Sequence, residues 1–191
     1  MPENDGNETR RWFGDPASRG FMADWWKALD SSESEKGEGM HLADRGDRAR
    51  LRRCRDIDDV LLTPVYYGVR HELVKRGLSP HSLSDRKLAA VVGLLAWIDE
   101  DDFSEAFSRQ LARRRKDSQD AKLSGLRFRR LLDIEDRNEL YHEMIGVLRL
   151  LDGKANVEDF ARQLYAWGPD SSNWVRRRWA EDYYTAAPDE P

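Results

Sequence analysis

The chain has 191 residues, 39% hydrophobic and 36% charged, with a net charge of −4 and one cysteine, Cys54. Seven Trp, six Tyr and six Phe are too much aromatic surface to leave in water, which excludes a wholly disordered chain, and a lone cysteine excludes an internal disulfide. No apolar run approaches the roughly 18 residues of a membrane span, and no signal-peptide pattern opens the chain, so a cytoplasmic location is expected.

Residues 1–18 are polar, lack apolar periodicity and read as a flexible terminus. Phe21, Met22, Trp25, Trp26 and Leu29 recur at helical spacing and define a first amphipathic helix. Residues 31–40, which include the run SSESEKGEG, read as a mobile linker. A helix over roughly 42–55 follows, and Pro64 suits the first turn of another that Gly77 and Pro80 end near residue 76. Ser84 can cap a strongly apolar helix from Leu88 to Ile98. Asp102 with Glu105 reads as an N-cap and its acid three residues on, opening a helix through about 116. Ser124 is a cap for a short helix to Asp133, and Asp136 with Glu139 repeats the cap before Leu140 to Leu151. Asn156 precedes Val157 to Trp167, which Gly168 and Pro169 stop, and Ser172 opens a last helix to about Tyr184. No alternating strand pattern and no solenoid repeat is present. The expectation is an all-α protein of two small helical bundles packed together. They span residues 19–117 and 118–185, with an acidic tail at 186–191.

The charge is unevenly spread. Residues 1–44 carry −5, residues 45–130 carry +7 and residues 131–191 carry −6. An acidic total therefore does not exclude a polyanionic partner; it confines the basic surface to part of the chain. Six arginines lie within eleven residues, Arg45, Arg48, Arg50, Arg52, Arg53 and Arg55. At about 100° per residue, Arg45, Arg48, Arg52 and Arg55 share one helix face, beside a stripe of Leu51 and Cys54. The bland reading is a solvated face with intrahelical ion pairs. Against it, the nearby acids Asp44, Asp47 and Asp56 are fewer than the arginines, and arginine is used to the exclusion of lysine. Arginine grips phosphate bidentately and stacks on bases.

A second basic set is Arg109, Arg113 and Lys116, expected on one face of the helix that opens at residue 102, with Phe103, Ala106, Phe107 and Leu111 on another. A third is Lys122, Arg127, Arg129 and Arg130, beside a stripe of Phe128, Leu131 and Leu132. Arg149 stands alone, and an ion pair with Glu143 or Asp152 is the simpler reading of it. Arg176, Arg177 and Arg178 lie between Trp174 and Trp179, where the rings read as core and the arginines as solvated.

Signs of enzyme chemistry are few. No Walker loop, GxGxxG, GxSxG or HExxH motif occurs, and the four histidines lack metal-ligand spacing. Asp99, Glu100, Asp101 and Asp102 invite a metal-nuclease reading, but a helix end, a turn and the next cap explain them more simply. No catalytic residue, metal or cofactor is expected.

The ordered set of segments is similar to a known family. It comprises Trp25-Trp26, ARLRRC (Ala49–Cys54), Pro64 with Tyr66 and Tyr67, and FSEAFSRQLA (Phe103–Ala112). LRFRRLLDIED (Leu126–Asp136), VLRLL (Val147–Leu151) and the helix end Tyr165–Gly168 complete it. Together they resemble CasB, the small subunit of the type I-E Cascade CRISPR effector, over roughly residues 20–170. The resemblance implies a non-catalytic helical protein that joins a second copy of itself, the large subunit and the backbone subunits. Its basic flank would meet the crRNA-paired target DNA strand and the displaced strand of the R-loop. Carried over residue by residue, the binding positions are Arg52, Arg53, Arg109, Arg127, Arg130 and Arg149. The alternatives are a free-standing helical nucleic-acid-binding regulator and a helical protein-interaction module. The arginine helix lacks the Asn, Gln or Ser that a base-reading helix needs, which counts against the regulator.

Overall fold

The structure, a computed structural model, describes residues 16–30, 43–81, 83–115, 120–168 and 174–187. The expected linker at 31–40, the Ser172 cap and Lys116 lie outside them, as does most of the expected N-terminus and acidic tail. The described residues form ten helices and one two-stranded sheet, so the all-α expectation holds. They divide into two compact units, at Ala96/Trp97.

The first unit holds α1 (Pro16–Ala28), α2 (Arg45–Arg52), α3 (Ile57–Leu61), α4 (Pro64–Lys75) and α5 (Asp85–Leu95). Helix α5 is its core element. Every residue from Leu88 to Leu95 is buried, so the helix is apolar all round and is packed by α3, α4 and α2. The stripe Phe21, Met22, Trp25, Trp26 and Leu29 is buried as its spacing requires. Thr63 caps α4 by accepting from the Tyr66 amide, with Pro64 in the first turn, where its missing N–H costs nothing. Tyr66 then donates its hydroxyl to Asp85 Oδ1 at 2.7 Å. That bond, with help from Arg70, lowers the Asp85 carboxyl below its ordinary range. Helix α3 has no counterpart among the expected elements. It has five residues, too few for a periodic signal, and is marked only by Asp56, which caps it by accepting from the Asp59 amide at 2.9 Å.

The second unit holds β1 (Glu100–Asp101), α6 (Phe107–Ala112), α7 (Gly125–Asp133), α8 (Arg137–Leu150), β2 (Lys154–Ala155), α9 (Val157–Ala166) and α10 (Trp174–Ala186). Asp136, Asn156 and Ser124 cap α8, α9 and α7 as their spacing predicts. The core is aromatic. Phe107 meets Phe160 and Trp179, Trp179 meets Trp167, and Phe128 stacks on Tyr183 at 3.8 Å. Truncating one such buried ring costs about 3–5 kcal/mol.

The stretch 99–122 departs most from expectation. Asp102 does not cap a helix. It accepts from Ser104 in a tight turn, Phe103 is 82% exposed, and α6 starts only at Phe107. The cap on α6 comes from far along the chain, as buried Asp159 accepts from the Phe107 amide at 2.9 Å. Helix α6 ends at Ala112, after which Arg113–Arg115 pairs antiparallel with residues 120–122. The sequence boundary at 117/118 therefore differs from the observed division, because α6 packs on α10 within the second unit. Two short strands replace the expected absence of any: β1 and β2 are parallel, with Glu100 opposite Lys154 and Asp101 opposite Ala155.

Candidate nucleic-acid interface

The arginine helix α2 begins at Asp44, whose carboxylate accepts from the Asp47 amide at 2.9 Å. Its four-arginine face does not simply point to solvent. Arg48 is buried, and its guanidinium lies 3.4 Å from the Asp30 carboxylate. Arg45 Nε donates to the Asp30 carbonyl at 2.8 Å, just past the end of α1. Arg52 Nε donates to the carbonyl of Ala96, the C-cap of α5, at 2.8 Å. Carbonyls at helix ends lack intrahelical partners and sit at the negative pole of the helix dipole, so guanidiniums satisfy them well. Arg55 lies beyond the helix and pairs with Asp59 at 2.9 Å. The stripe beside this face holds in part: Leu51 is fully buried and Cys54 half-buried.

What α2 turns outward is its other side. Arg50 is exposed and bonded to Asp47 at 2.8 Å. Arg53, the C-cap, is exposed and makes no side-chain hydrogen bond or ion pair among the described residues.

The second basic set is dispersed. Arg109 stays on α6, exposed, with its Nε 3.6 Å from Asp182 of α10. Arg178 reaches the same carboxylate at 3.7 Å, and the Ser108 hydroxyl donates to it at 2.7 Å. Arg109 and Arg178 are thereby brought together around one acid. The sequence hints at half of this, since Arg178 and Asp182 are one helical turn apart, but not at the partner 73 positions earlier on α6. Arg113 is drawn inward. Its guanidinium binds Asp102, Glu105 and the Ser104 hydroxyl. That hydrogen bond from Arg113, with those from Ser104, takes the Asp102 carboxyl from 3.8 down to about 2.

In the third set, Arg127 bonds Glu143 of α8 at 2.9 Å, and Arg129 reaches back weakly to the Gly125 carbonyl. Arg130 is exposed with no side-chain partner among the described residues. Arg149 is also exposed. Neither ion pair considered for it forms, as Glu143 serves Arg127 and Asp152 serves Lys122. Its guanidinium carbon instead lies 4.7 Å from the centroid of the Trp97 ring, a contact with no sequence signal. Arg176, read as solvated, donates to the Ile134 carbonyl at 2.7 Å.

The acidic run 99–102 is dispersed in the same way. Asp99 packs against Gly153, Glu100 pairs with Lys154, Asp101 accepts from the Val157 amide at 3.0 Å and Asp102 holds Arg113. Four carboxylates with four separate structural roles do not converge on one ion. Among the described residues no group of three or more His, Cys, Asp or Glu could hold a metal, and no helix is long and apolar enough to cross a membrane.

The described residues define a small helical protein that exposes several arginines, among them Arg53, Arg130 and Arg149. The family model of CRISPR-associated protein Cse2 matches residues 47–184. The chain belongs to this family, the small subunits of the type I-E Cascade effector of CRISPR defence, in agreement with the CasB resemblance. No curated protein and no solved structure matches it.

Proposed function

We propose that the chain is a non-catalytic, cytoplasmic subunit that grips nucleic-acid phosphates without reading sequence. In doing so it stabilises the crRNA-guided R-loop, target strand and displaced strand alike. Its partners in this reading are crRNA, target DNA, the large and backbone subunits and a second copy of itself. One observation carries the reading. The arginines sort into those bonded within the fold, such as Arg48, Arg52 and Arg113, and those exposed with no side-chain hydrogen bond or ion pair among the described residues: Arg53, Arg130, Arg149 and Arg177. The second group keeps its charge and its donors for an external anion. Arg45, Arg109 and Arg127 stand between, exposed but already bonded once.

The mechanism is electrostatic. R-loop formation is a nearly balanced exchange of base pairs, so a few interactions with the strand backbone tip it. Each neutralised phosphate releases a counterion, which makes binding strong at low salt and indifferent to sequence.

The test is binding of the full chain to labelled single strands and duplexes of unrelated sequence across a salt series. Affinity is expected to be equal across sequences and to fall steeply with salt. A defined motif from a randomised-site selection, or no binding at low salt, would overturn the reading. A salt-sensitive association with Cascade subunits that survives nuclease treatment, in a chain that binds no nucleic acid, would point to an interaction module.

A further inference from the structure

Arg149 stands in the last turn of α8, exposed, with its guanidinium over the ring of half-buried Trp97. Three other exposed arginines of this unit are held differently. Arg127 and Arg109 face carboxylates, and Arg130 has no partner among the described residues. A ring and a carboxylate hold a guanidinium in different ways. A carboxylate occupies the donor edge and cancels the charge. A ring attracts the flat face, leaves the N–H edge open and leaves the charge intact. An arginine with no partner must be ordered when it meets an anion, whereas a stacked one is ordered beforehand.

We propose that Trp97 is a positioning residue for phosphate binding: it holds Arg149 flat and fully charged, with its donor edge presented to a phosphodiester of a nucleic-acid strand. The inference rests on the nucleic-acid reading of Arg149 given above and adds the ring to it. Trp97 belongs to none of the basic patches, and its part in binding is made entirely through Arg149.

The test is a double-mutant cycle on the full chain, read by fluorescence anisotropy of a labelled oligothymidylate. Arg149→Ala is expected to weaken binding about fivefold and to lower the salt slope by about 0.7, the share of one phosphate on a single strand. Trp97→Leu is expected to weaken binding about two- to fivefold, the worth of an exposed cation–π pair. In an Arg149→Ala background it is expected to change nothing further. Trp97→Phe keeps a ring face and is expected to retain most of the affinity. Trp97→Met keeps apolar volume without a ring, and stands in for Trp97→Leu should that variant not fold. A purely structural role for Trp97 would weaken both backgrounds alike, and that result overturns the inference. So does wild-type binding by Trp97→Leu and Trp97→Met when Arg149→Ala is weakened, which leaves the nucleic-acid reading standing. Wild-type binding by Arg149→Ala removes the reading of Arg149 and the inference with it.

Discussion

Arg52 donates its Nε hydrogen to the carbonyl of Ala96 at 2.8 Å, closing the C-terminal end of α5, the buried helix of the first unit. Arg53, the next residue, carries the same charge and has no such bond among the described residues. Two adjacent arginines that look equivalent in the sequence thus divide between fold and surface.

Substituting them separately exposes that division. Arg52→Ala is expected to lower the urea midpoint, by about 1–3 kcal/mol of stability, because it removes a charge-assisted hydrogen bond to a carbonyl. Arg53→Ala is expected to leave stability within about 0.5 kcal/mol and to lower the salt slope of single-strand binding by about 0.7. Urea denaturation and anisotropy titrations on both variants check the pair.

The Asp102–Arg113 pair gives an acid-dependent stability. A carboxyl whose pKa is lowered by folding, here from 3.8 to about 2, stabilises the fold above the higher value. That contribution is lost as pH falls from about 4 through about 2. Asp102→Asn is expected to lower stability at neutral pH and to flatten the pH dependence in this window. Arg113→Ala is expected to do the same and to leave the salt slope of binding unchanged. Thermal melting between neutral pH and pH 2 measures both.

Gly153 closes the turn between α8 and β2 with φ at +70°, and an added Cβ would lie 2.6 Å from Asp99 Oδ2. The amide of Asp99 donates to the Gly153 carbonyl at 2.8 Å, so the two backbones cannot simply move apart. Gly153→Ala is expected to cost about 1–3 kcal/mol. Adding Asp99→Ala should recover the steric part of that cost and leave the backbone part. Urea midpoints of the single and double variants separate the two.

The regular helices are legible in the sequence because their signals are local. Asp136, Asn156 and Ser124 lie three residues before the amides they cap, and the Phe21-to-Leu29 stripe is buried as its spacing requires. The stretch 99–122 is not legible, because its bonds are distant in sequence. The cap of α6 is Asp159, and Gln110 bonds both the Asp102 carbonyl and the Asn156 amide. The arginine patches are legible as composition but not as surface. Periodicity places Arg48 and Arg52 on one face without saying that Asp30 and Ala96 meet it. Nothing in the sequence links Arg149 to Trp97, since the link depends on how Trp97, just past the end of α5, lies against α8.

The most direct measurement is the slope of log affinity against log salt for a labelled single strand, in the wild-type chain and in the Arg53→Ala, Arg130→Ala, Arg149→Ala triple variant. Removing three phosphate-binding side chains should lower the slope by about 2, with the melting temperature unchanged. A folded triple variant that binds with the wild-type slope would show that these arginines are not the phosphate-binding surface.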